Sequence, residues 1–197
     1  MEAFKTLTST VAPLDRTNVD TDQIIPKQFL KRIERTGYGG FLFFDWRQTP
    51  EGKPVPEFVL NDPRYRDAKI LVAGKNFGCG SSREHAAWAL QDYGFDAIIA
   101  PSFGDIFRTN AGKIGMLAIA LPADEVERLM ESVDLDSGSE MRVDLERRVI
   151  VAPDGREVAF DFDETTRHRI LHGLDEIALT LQHEDAITAY ETAHGLA

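Results

Sequence analysis

Residues 72–105, VAGKNFGCGSSREHAAWALQDYGFDAIIAPSFGD, decide how this chain is read. The apolar run Ala68–Gly74 has the length and character of a buried strand. An alanine-rich helical pattern follows over Ser82–Tyr93 and closes at Gly94, a fitting C′ residue. DAIIA, residues 96–100, reads as the next strand. Between the first strand and the helix stand Gly74, Gly78 and Gly80, a lone cysteine, two serines and an arginine, so this junction is where something is bound or turned over.

The rhythm continues outward. SFGDIFRTN (102–110) reads as a short helix, GMLAIAL (115–121) as a strand and ADEVERLMESV (123–133) as a helix. Strands alternating with helices at this spacing predict right-handed βαβ units and a parallel sheet. MRVDLERRVIVAPDGREVAFDF (141–162) instead alternates residue by residue around an Asp-Gly turn, which predicts antiparallel pairing. The tail, about 164–193, reads as helical. Upstream, proline and glycine crowd the first 60 residues, so the stretch about 30–66 reads as irregular loop and regular structure is expected to begin at Ala68. The fold class is α/β: one domain over 1–197 with a mixed sheet.

Composition bounds the function. A net charge of −11, from 22 basic against 33 acidic residues, argues against nucleic acid and anionic membrane as partners. An anionic substrate therefore needs a local cluster of cations or dipoles. The single cysteine, Cys79, excludes an internal disulfide and an iron–sulfur cluster ligated by this chain alone. The first residues carry no hydrophobic leader pattern and the longest apolar run is too short to span a bilayer, so a cytoplasmic location is expected.

Spacing removes three familiar readings of the turn. A P-loop needs Lys-Ser/Thr after its last glycine, and Gly80 is followed by Ser81-Ser82. A dinucleotide fingerprint needs a glycine where Arg83 stands. A nucleophile elbow needs a glycine two residues after its serine, which neither Ser81 nor Ser82 has. Ser81 and Glu84 have the spacing of a capping box, which is the plain structural reading. It leaves Arg83 unexplained, because a cation in the first turn opposes the helix dipole at a cost of about 0.3–1 kcal/mol. Serine hydroxyls, helix-start amides, an arginine and Gly80, which lets a ligand approach, together form a receptor for a carboxylate or phosphate.

Cys79 has the position of a reactive thiolate, but no His–Asn or His–Asp pair is legible near it. His85 reads equally as a packed or a capping side chain. His168 and His172 lie four apart without the glutamate of a zinc-protease helix, so no metal site is expected.

Three motifs now carry a resemblance. GKNFGCGSSREHAAWAL is similar to the G-x-G-S-S-R-E loop of the aconitase superfamily's swivelling domain. NVDTDQIIPKQFL (18–30) resembles that domain's N-terminal motif, and GFDAIIAPSFGDIFRTNAGKIGML (94–117) resembles the segment after its first helix. They come in family order, span about half the chain, and are closest to the small-subunit branch of two-subunit isopropylmalate hydro-lyases. The resemblance implies a β/β/α swivelling domain that closes over a large subunit, as a heterodimer or heterotetramer. That large subunit would hold a 4Fe–4S cluster, whose open iron takes the departing hydroxyl; this chain would bind no cofactor. The reaction implied interconverts 2- and 3-isopropylmalate through isopropylmaleate, in leucine biosynthesis. Homoaconitate or citraconate (methylmalate) hydration is the alternative within the family, and a dicarboxylate-binding regulatory module the alternative outside it.

Residue by residue, Ser81 matches the family's catalytic base, and Ser82 and Arg83 match residues that hold the substrate carboxylate. Leu30, Lys31 and Arg32 occupy the position that sets substrate choice: Leu30 suits an isopropyl group, or ordinary core, while Lys31 or Arg32 suits a carboxylate. Asp20 and Thr21 are expected to support the active-site loop by side-chain turns, with Gly80, Glu84 and His85 as further supports. Asn110 is read as a helix cap. The segment Tyr38–Trp46 suits either a docking surface or a second small core, and the loop Lys31–Gly40 is expected to be mobile without a partner.

Overall fold

The computed structural model describes residues 1–30, 36–133 and 139–196. Strands β1 (Thr6–Leu14), β2 (Ile70–Ala73), β3 (Ala97–Ala100), β4 (Leu117–Ala120), β5 (Glu140–Asp144), β6 (Val149–Val151) and β7 (Glu157–Ala159) form one sheet in the order β4-β3-β2-β1-β5-β6-β7. β1 to β4 run parallel, and β5, β6 and β7 add antiparallel strands on the other side. Every residue of β2 and β3 is buried, as strands covered on both faces require. The Asp154-Gly155 turn joins β6 to β7, as its sequence predicts.

The helices are α1 (Thr21–Ile24), α2 (Phe44–Arg47), α3 (Glu84–Tyr93), α4 (Asp105–Ile114), α5 (Ala123–Ser132), α6 (Glu164–His172), α7 (Glu176–Leu181) and α8 (Glu184–His194). α3 and α4 are successive crossovers between parallel strands and pack on one another, while α5 returns the chain across β3 and β2. Gly94 and Gly115, both at positive φ, end α3 and α4. No described helix is long and apolar enough to cross a membrane.

Two expectations are corrected here. Regular structure does not begin at Ala68: β1 lies inside the sheet, and its Val11, Ala12 and Leu14 are core. TLTSTVAPL hides this because its first half is polar and it contains Pro13. β5 pairs only with Thr6–Thr10, whereas Pro13 pairs with Val72 of β2 alone, so its missing N–H falls on the unpaired side. The helix around SFGDIFRTN starts later and runs longer, to Ile114, which puts Asn110 inside it and 8% exposed rather than at a cap.

The aromatic–glycine segment is core. Tyr38, Leu42 and Phe43 are fully buried, Phe43 stacks on Trp46 at 5.4 Å, and Phe29 stacks on Phe41 at 4.1 Å. Gly39 lies against the backbone of Asp92 and Tyr93, where an added Cβ would come within 2.7 Å. The part of the Lys31–Gly40 loop from Tyr38 onward is thus packed, with Tyr38 N donating to Asp92 Oδ2 at 2.7 Å. Its first five residues lie outside the described residues.

Candidate active site

Three loops meet at the carboxyl ends of β1, β2 and β3, the edge of a parallel sheet where ligands bind. The loop after β2 is fixed by backbone bonds to both neighbours. Gly78 N and Cys79 N donate to Val19 O at 2.8 and 3.2 Å, and Thr21 N donates to Cys79 O at 2.9 Å. On the other side Phe77 N donates to Ser102 O at 3.0 Å and Gly104 N to Phe77 O at 2.9 Å. With its interior amides so used, the loop delivers Ser81 and Ser82 to the surface, both exposed.

Asp20 and Thr21 hold this loop from below. Asp20 caps α1, accepting from Asp22 N at 2.7 Å, while Gln23 Oε1 accepts from Asp20 N at 2.9 Å. The capping box of this site therefore lies at Asp20 and Gln23. The box expected at Ser81 and Glu84 does not form: α3 begins at Glu84 and its cap residue is Arg83, in an extended conformation, with no side chain capping the helix. The reason is the turn before it. Gly80 has φ +88° and sits so close to Asp20 that a Cβ would overlap its carboxylate, which delays the helix to Arg83. Thr21 Oγ1 completes the clamp by donating to Ser81 O at 2.8 Å.

Arg83 is 12% exposed and forms an ion pair with Asp22, which is 35% exposed. The pairing atoms, Arg83 Nη1 and Asp22 Oδ1, are closed to solvent. The sequence reading misses Asp22, because its contact with Arg83 spans 61 positions along the chain, a separation that no local pattern reveals.

A pocket of about 260 Å3 opens beside Ser81, lined by Gly78, Cys79, Gly80, Ser81, Gly104 and Asp105 among others. It is small and shallow, one wall of a site rather than an enclosed one. Gly104 and Asp105 belong to the site through the SFGD segment, which the sequence pattern assigns to a helix. Burial, with Asp20 adding to it, pushes the Cys79 thiol above its ordinary value, the wrong direction for a nucleophile.

His85 packs against Tyr38 and Trp88, with ring centroids at 5.2 and 4.8 Å, and burial lowers its pKa. Glu84 is exposed and borders a different cavity, beside Trp88 and Asn110. Leu30 is half-buried against the main core, and Lys31 and Arg32 lie outside the described residues. Among the described residues no three His, Cys, Asp or Glu side chains gather as metal ligands.

Comparison with known proteins gives a consistent pattern. The aconitase C-terminal domain model matches residues 1–124, and a LeuD_N model matches residues 127–164. Residues 176–194 match the model for the C-terminal domain of the 3-isopropylmalate dehydratase small subunit. The chain is 55% identical over 194 residues to the 3-isopropylmalate dehydratase small subunit of Koribacter versatilis, covering 98% of this chain and 100% of that one. It is 56% identical over 196 residues to that of Rhodopirellula baltica, covering 99% and 100%. A crystal structure titled 3-isopropylmalate dehydratase, from Methanocaldococcus jannaschii, superposes with a TM-score of 0.66 at 25% identity, covering 94% of this chain and 99% of that one.

Proposed function

Since the chain belongs to the 3-isopropylmalate dehydratase small-subunit family, built on the aconitase C-terminal domain, we propose that it is one half of a hydro-lyase site that interconverts 2- and 3-isopropylmalate through isopropylmaleate. Its partner is a large subunit, and a 4Fe–4S cluster in that subunit belongs to the same reading. With one cysteine, and no gathering of three metal ligands among its described residues, this chain does not fit such a cluster. The homoaconitate, citraconate and regulatory-module readings give way to the names of relatives matched along the whole chain. The same reading puts the chain in leucine biosynthesis and supposes a cytoplasmic location.

The steps of this chain are those of Ser81, Ser82 and Arg83. Ser81 would take the proton α to the substrate carboxylate and hold it at Oγ until it returns to the alkene. A serine alkoxide needs strong local stabilisation. The Arg83 charge can supply it, together with first-turn amides of α3 that no side chain caps. Asp22 holds Arg83 Nη1, leaving the remaining guanidinium donors to a substrate carboxylate, with Ser82 beside them. In this reading Leu30 would meet the isopropyl group. The observation that carries the reading is the exposure of Ser81 and Ser82 on a loop whose Phe77, Gly78 and Cys79 amides are bonded to both neighbouring segments, next to a cation held in place from behind.

The test is an anaerobic assay with 3-isopropylmalate that follows the ultraviolet absorbance of the conjugated alkene. It compares this chain alone, a cluster-loaded large subunit alone, and the mixture. Turnover is expected in the mixture only. Ser81→Ala should lower kcat by roughly 10²–10⁴, the usual loss of a general base. Arg83→Lys should mainly raise KM, because a point charge replaces a planar fork. Turnover by this chain alone, or a fully active Ser81→Ala mixture, would overturn the assignment.

A further inference from the structure

A second cavity, of about 400 Å3, lies between α4, β4 and α6 and shares only Asp105 with the Ser81 pocket. Its apolar lining is Met116, Ala118 and Phe162, and three cations border it: Arg108, Lys113 and Arg169. In a chain of net charge −11 such a cluster is out of keeping with its surroundings.

The carboxylates nearby are largely engaged elsewhere. Asp163 caps α6, accepting from Thr166 N at 2.8 Å and Thr166 Oγ1 at 2.7 Å, bonds that, with the Arg108 charge, hold its carboxyl below the usual range. Asp105, in the first turn of α4, stands one turn before Arg108 and lines both pockets. Lys113 reaches out to Glu176 at 3.6 Å. Arg169 Nε reaches only the Leu174 carbonyl, at 3.5 Å, and among the described residues its Nη2 is closed to water with no acceptor at all. A guanidinium nitrogen left so is costly, and native structures rarely leave one without reason. Arg169 lines the cavity through the rest of its side chain.

We propose that this cavity is a second ligand site, for a small carboxylate with a short aliphatic body. Arg169 from α6 and Arg108 from α4 grip the oxyanion as forks, and Met116, Ala118 and Phe162 receive the aliphatic part. The volume falls in the range of small-molecule sites. The inference is independent of the roles given to Ser81 and Arg83.

The test is calorimetric titration of the full chain with isovalerate and, separately, with inorganic phosphate. Saturable binding of one equivalent of isovalerate is expected. Arg108→Ala removes an exposed side chain and should raise the dissociation constant about tenfold or more, the loss of a charge-assisted hydrogen bond. Arg169→Lys keeps the charge without the fork and should weaken binding likewise, with circular dichroism verifying that the fold survives. Arg83→Ala should leave it unchanged. Absence of saturable binding, equal binding in both variants, or loss in Arg83→Ala would each overturn the proposal. Binding of phosphate but not isovalerate would overturn the aliphatic half and reduce the site to an oxyanion hole for inorganic phosphate.

Discussion

Arg83 and Asp22 show how one charge is prepared for another. An arginine alone at a helix's N-terminus is a cost; paired from behind by a carboxylate, it becomes an oriented donor. Asp22→Asn should therefore leave the fold intact but lower kcat/KM of the reconstituted enzyme by about tenfold, the loss of a charge that orients Arg83. An unchanged kcat/KM would mean that Arg83 is oriented by its backbone alone. His85 behaves differently, because burial, with the nearby Arg83 charge adding to it, disfavours its charged form. Its folded pKa lies below the ordinary 6.5 of the unfolded chain. As pH falls below about 6.5 the unfolded chain takes up this proton first, so the contribution of His85 to stability is present above that value and is lost as pH falls toward the folded pKa. A nuclear magnetic resonance titration should place the His85 midpoint below 6.5; a midpoint above it would contradict the packing described.

At the scale of elements, the site loop is a clamp between α1 and the start of α3. Gly80 is the tightest point, because positive φ and the Asp20 carboxylate both exclude a side chain. Gly80→Ala should cost at least about 1–2 kcal/mol in urea unfolding, the penalty of left-handed backbone for an L-residue, before any overlap with Asp20 is counted. Activity should fall further than stability, since the displaced loop carries Ser81. A variant that keeps both would show that the loop can open away from α1. The capping box expected at Ser81 fails for the same reason. Ser81 and Glu84 have the right spacing, but a cap works only where the helix starts, and that is set by contacts with residues 19–21.

The whole molecule divides into a sheet-and-helix body and a helical tail. α7 and α8 contain no buried residue, and Ile177, Leu181 and Tyr190 are more than half exposed. Removing residues 183–197 should lower the melting temperature by no more than about 2–4 °C, the shift that corresponds to 1 kcal/mol in a domain of this size. A fall of ten degrees or so would show that α8 is bound into the fold. Most of the body is legible in the sequence, for a simple reason. β2, β3 and β4 are short continuous apolar runs between helices of regular period, and such local patterns need no partner to be recognised. β1 is not legible, because a half-polar strand with a proline is made stable by which neighbour lies on each side, and pairing is a long-range matter. The site divides along the same line. The sequence alone determined the residue types and their order, Ser81-Ser82-Arg83 behind a glycine turn. Only the tertiary structure decided which of them are presented and which are held. Exposure of the serines, the Asp22 counterion and the Asp20–Gly80 contact all arise from segments some sixty residues apart, joined by adjacent parallel strands.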